Sequence, residues 1–92
     1  MNFDDMMKKM KLKYLDDLKA KFADLKELTS KKDFKGLESF FHKLKGSGAS
    51  YGIPEISTYG AKYEQKAKDE DLSDAELSEL VSELEEIHKQ AA

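Results

Sequence analysis

Apolar residues never come more than two at a time in this chain, and they return at steps of three and four along nearly its whole length. That spacing is the signature of amphipathic α-helix. It leaves no alternation for a half-buried strand, no continuous run for a buried parallel strand, and nothing able to span a bilayer. The stripes can be read one by one. Phe3, Met6, Met7 and Met10 form a short first stripe, and Leu15, Leu18, Phe22, Leu25 and Leu28 form a second. At about 100° per residue the two point roughly a quarter-turn apart, which predicts a break or kink near Lys11 to Lys13.

Thr29 to Lys32 reads as a polar turn, with Asp33 placed to cap the next helix. Leu37, Phe40, Phe41 and Leu44 give that helix its apolar side as it runs toward Gly52. This glycine is a suitable stop, and Pro54 fits the first turn of the helix after it. Ile56, Tyr59, Tyr63 and Ala67 form the following stripe. Ser73 and Glu76 make a capping-box pair ahead of Leu77, Leu80, Val81, Leu84 and Ile87. With 92 residues, no repeat and no long linker, the chain has room for one domain and one core. The predicted fold is all-α. Helices of roughly 14 to 19 residues joined by short turns make an antiparallel four-helix bundle over about residues 12–91, with a short additional N-terminal helix, about 2–11, laid across one end.

Composition removes several classes of function. There is no cysteine, hence no disulfide and no thiolate metal site. The first residues lack the apolar stretch of a secretory signal, so a cytoplasmic location is expected. All 16 basic residues are lysines, and the formal net charge is −3. Without arginine there is no bidentate reader of guanine, and nucleic acid is not an expected partner. Lysines concentrate between Lys8 and Lys45, whereas Asp69 to Glu86 holds only carboxylates among its charged residues. Both stretches read mainly as solvated helix faces.

One helix does not behave like scaffold. On a helical wheel Leu37, Phe40, Phe41, Leu44, Gly48 and Tyr51 gather on one side, and His42 falls about 160° from the centre of that stripe. Its neighbours on the outer face are Glu38, Lys45, Gly46 and Ala49. A mid-helix glycine costs about 1 kcal/mol relative to alanine. At Gly46, on the exposed side, that cost makes sense if another molecule must come close to His42. Gly48 faces the core, where it lets a neighbouring helix approach.

Other chemistries fit less well. Gly46-Ser47-Gly48 lacks the spacing, the following lysine and the preceding strand of a phosphate loop. Ser47 and Ser50 stand five and eight residues beyond His42, poorly placed for activation by it. His42 with Glu38 would supply two metal ligands on one turn, a weak site with no further pair in view. The second histidine, His88, continues the last apolar stripe at a helix end, where a partly packed residue favoured by the helix dipole is expected.

His42-Lys43-Leu44-Lys45-Gly46-Ser47, then Gly52, then Tyr63-Glu64 resembles the signature of histidine-containing phosphotransfer (HPt) domains of two-component phosphorelays. That pattern is a histidine followed by leucine-lysine-glycine-serine, a glycine ten residues after the histidine, and an acidic or amide residue ending the next helix's apolar stripe. Two features depart from the commoner pattern: Gly48, where serine or alanine is usual, and Pro54 at the start of the following helix. The resemblance covers the chain from about its second helix to the end. It implies that His42 carries a phosphoryl group on Nε2 and that Glu64 holds Nδ1–H to fix the tautomer. It further implies that Lys45 offsets phosphoryl charge and that Gly46 leaves room for a partner.

It implies as partners the receiver domains of response regulators or a histidine kinase, with magnesium on the receiver and no cofactor or metal on this chain. The expected protein is a monomeric signal-transduction carrier with a phosphohistidine intermediate and no kinase activity of its own, neither binding nucleic acid nor entering a membrane. Two alternatives accompany it. One is the phosphoacceptor domain of a chemotaxis-type histidine kinase excised from a larger protein, against which the initial methionine weighs slightly. The other is a receiver-binding helical module without phosphotransfer.

Overall fold

The computed structural model describes residues 2–92. Five α-helices follow in order: α1 (Phe3–Ala20), α2 (Phe22–Ser30), α3 (Phe34–Ser47), α4 (Pro54–Lys68) and α5 (Asp74–Ala91), with a single 3₁₀ turn, Ala49–Tyr51, between α3 and α4. There is no strand among the described residues. The α1–α2 pair forms one interrupted helix, and with α3, α4 and α5 it makes an antiparallel four-helix bundle around one continuous core. Among the described residues no helix is long and apolar enough to cross a membrane.

The helix ends follow from local chemistry. Asn2 caps α1 by accepting from the backbone N–H of Asp5, Asp33 caps α3 by accepting from that of Gly36, and Ser73 with Glu76 closes a capping box on α5. Gly52, at φ +84°, ends the 3₁₀ turn, and Pro54 then occupies the first turn of α4.

The break in the first helix lies at Lys21 and not at Lys11 to Lys13. Through that stretch α1 runs unbroken, because lysine, methionine and leucine are strong helix formers and nothing near Phe3 to Met10 pulls the chain aside. At Lys21 the backbone N–H turns to the Leu18 carbonyl, three residues back, and the helix restarts at Phe22. A straight α1 cannot bring a stripe rotated by a quarter-turn onto the core. Its N-terminal half therefore stays outside, with Phe3 73%, Met6 50%, Met10 45% and Leu12 60% exposed. It also lengthens the molecule to 46 Å, against about 27 Å for an 18-residue helix.

The core takes one or more residues from every α-helix. Leu15 and Leu18 of α1, Leu25 of α2, Leu37, Phe41 and Leu44 of α3, and Leu77, Leu80 and Leu84 of α5 are buried. From α4 come Ile56, Tyr59 and Tyr63, whose two rings pack edge-on at 4.9 Å and meet Phe41 at 5.6 and 5.5 Å. Both buried phenols are satisfied: Tyr59 donates to the Leu80 carbonyl, and Tyr63 to the Glu83 carboxylate. This aromatic cluster ties α3 to α4 directly beneath His42 and Glu64.

Candidate functional site

His42 leaves α3 on the side away from Phe41 and Leu44, and its side chain is 71% exposed. The ring is nonetheless held. Nδ1–H donates to Oε2 of Glu64 across the α3–α4 groove at 2.6 Å. A carboxylate can only accept, so the proton of a neutral imidazole resides on Nδ1 and Nε2 keeps its lone pair. Among the described residues Nε2 has no partner.

Glu64 projects from the edge of the α4 stripe, two turns after Ser57 and one after Gly60, and is only 18% exposed. Its second oxygen lies 3.2 Å from Nζ of Lys45, one turn beyond His42 on α3. Partial burial pushes the Glu64 carboxyl up. The hydrogen bonds from His42 and Lys45, with the nearby lysine charge, outweigh that and hold it below the ordinary carboxylate value. Glu64 is thus an anion that orients the imidazole on one side and anchors a lysine on the other.

Gly46 follows on the same face. A Cβ built there would meet nothing within 4 Å, so the space one turn from His42 is open to an approaching molecule. Gly48 is the opposite case. A Cβ at that position would stand 2.7 Å from the Ser57 backbone nitrogen and 2.8 Å from Cβ of Ile56, so this glycine serves helix contact.

The structure therefore brings His42, Lys45, Gly46 and Glu64 to one face. Ser47 is not part of it: its hydroxyl donates to the Lys43 carbonyl and pairs with the Tyr14 hydroxyl at 2.8 Å. His88 is also elsewhere, with Nε2 bonded to the Leu15 carbonyl at 2.8 Å and its ring edge-on to Phe22, a tie between α5 and α1. Among the described residues no group of three or more His, Asp or Glu gathers as a metal would need. Tyr14, which pairs with Ser47, carries no mark in the sequence that would single it out. Gly60 does carry one, a helix-breaking residue inside the apolar stripe of α4, between Ile56 and Tyr63.

A helical bundle presenting one oriented, exposed histidine beside a lysine and an open glycine defines a class of group-carrying protein. The Hpt domain family model matches residues 9–90, and the chain belongs to that family. Hpt domains carry phosphoryl groups on histidine in phosphorelays and interact with the response regulators and kinases of two-component systems. Comparison with curated proteins and with solved structures finds no match.

Proposed function

We propose that this chain is a cytoplasmic histidine phosphotransfer protein in which His42 accepts a phosphoryl group from the aspartyl phosphate of one receiver domain and returns it to the aspartate of another. One observation carries the reading: Nδ1–H is committed to Glu64 while Nε2 has no partner among the described residues, and the Cβ position of Gly46, one turn along α3, is open. In this reaction the Nε2 lone pair attacks phosphorus in line with the departing aspartyl oxygen. The N–P bond forms, the P–O bond breaks, and the aspartate leaves as a carboxylate. The imidazole becomes cationic, and Glu64 faces that new charge across the existing hydrogen bond. Lys45, beside the ring, offsets charge on the phosphoryl oxygens. The receiver supplies the aspartate and its magnesium, and transfer in the opposite direction uses the same atoms.

The test is phosphotransfer from a panel of phosphorylated receivers of the same organism. Wild-type protein should gain an acid-labile, base-stable phosphate. His42→Gln should gain none while keeping its helical content, because the side chain is exposed. Phosphate retained in that variant, or found on His88, contradicts the proposal.

A further inference from the structure

Helices α3 and α4 approach each other backbone to backbone at two places. One is Gly48 against Ile56 and Ser57. The other is Gly60, where a Cβ would stand 2.5 Å from the Lys45 nitrogen, 2.7 Å from the Phe41 carbonyl oxygen and 3.0 Å from Cα of Lys45. All three atoms belong to α3's backbone, and no flexible side chain can give way. Helices held apart by ordinary side chains usually keep their axes about 8–10 Å apart. At Gly60 the absence of a side chain allows a closer approach.

The position of this contact matters as much as its tightness. Phe41 and Lys45 bracket His42 on α3, and Gly60 lies one turn before Glu64 on α4. The contact is thus directly beside the 2.6 Å hydrogen bond between His42 and Glu64. Both oxygens of Glu64 are already engaged, one by His42 and the other by Lys45, so the carboxylate has little freedom to follow a retreating partner.

We propose that Gly60 is a positioning residue for phosphotransfer, setting the α3–α4 separation at which the Glu64 carboxylate reaches Nδ1 of His42 and leaves Nε2 free. This rests on His42 being the phosphoacceptor. In Gly60→Ala the added methyl drives the two backbones apart at the site, the hydrogen bond lengthens, and the imidazole relaxes toward the tautomer mixture of a free histidine, which favours Nε2–H. A ring in that state has its acceptor nitrogen blocked.

Two-bond proton–nitrogen NMR spectra of the imidazoles distinguish the tautomers, and phosphate uptake from a phosphorylated receiver gives the rate. The variants are Gly60→Ala and, as a control for general loosening, Leu84→Val in the core of α5. Gly60→Ala should shift His42 toward Nε2–H and slow uptake on the order of tenfold to a hundredfold, the range expected for an ångström of misplacement. Leu84→Val should keep the wild-type tautomer and rate while losing stability. If Gly60→Ala unfolds, the same spectra are recorded in trimethylamine N-oxide, which favours the compact state.

Wild-type His42 signals in folded Gly60→Ala overturn the proposal, and so does an equal tautomer shift in Leu84→Val. A wild-type protein that takes up no phosphate, with the tautomer shift in Gly60→Ala still present, instead overturns the phosphoacceptor reading on which the proposal stands.

Discussion

Around His42 the side chains divide by what they can be asked to do. Lys45 is half-exposed and paired with Glu64 at the surface, so its contribution to folding is small. Lys45→Ala should change stability by under about 1 kcal/mol while slowing transfer or shortening the lifetime of phosphohistidine. A large fall in melting temperature with normal transfer would make it a structural residue. Gly46 gives the sharper contrast. Its Cβ position is empty, so Gly46→Ala should raise stability by up to about 1 kcal/mol through helix propensity. The same change, and more so Gly46→Gln, should slow phosphate uptake by filling the space a receiver must enter. Wild-type uptake in Gly46→Gln would remove the glycine's role in access. The exposure of His42 is legible in the sequence because it follows from helical periodicity, whereas Glu64 is singled out only by the resemblance to the HPt signature. The depth of the α3–α4 contact at Gly60 is not legible there, since it depends on two backbones meeting and periodicity carries no interhelix distance.

Among the helices, the ends marked by a capping side chain or a left-handed glycine are readable and the kink is not. Asp33, Ser73 and Gly52 each announce a boundary by chemistry local to a few residues. The break at Lys21 has no such marker, and the phase difference between the Phe3–Met10 and Leu15–Leu28 stripes suggested an earlier one. An earlier break would be needed only if both stripes reached the core, and the first does not. Two other ends lie where sequence gives little warning. Lys32, after α2, and Glu70, after α4, adopt φ of +52° and +53°, the left-handed conformation usually given to glycine. In each case the next residue closes the helix, Asp33 N–H donating to the Leu28 carbonyl and Asp71 N–H to that of Lys66. A non-glycine residue in that conformation costs about 1 kcal/mol. Glu70→Gly should therefore raise the unfolding midpoint, although a glycine inside a helix would lower it. A lowered midpoint would show that the Glu70 side chain contributes something the geometry does not reveal.

Across the whole molecule, the acidic stretch from Asp69 to Glu86 meets lysines of earlier segments in space. Lys32 pairs with Asp74 at 2.8 Å, Lys62 with Glu83 at 3.8 Å and Lys66 with Glu76 at 2.6 Å, each linking α5 or its start to an earlier segment. The hydrogen bond from Lys66, then that from the Ser73 backbone, holds the Glu76 carboxyl below its ordinary value; Glu64 is lowered against its burial by His42 and Lys45. A carboxyl depressed in the folded state stabilises the fold above its unfolded value, near pH 4.3, and that stability is lost as pH falls through the folded value. Urea midpoints should thus hold from pH 7 to about 5 and decline below about pH 4, less steeply in Glu64→Gln/Glu76→Gln. A midpoint that rises over that acidic range would contradict these ion pairs. On the proposed function, the bundle so held presents one nitrogen. That claim is tested most directly by nitrogen NMR of imidazole-labelled protein after phosphorylation by a receiver. The account predicts a single N–P bond at Nε2 of His42 with the Nδ1 proton retained, whereas phosphorus on Nδ1, or on His88, would contradict it.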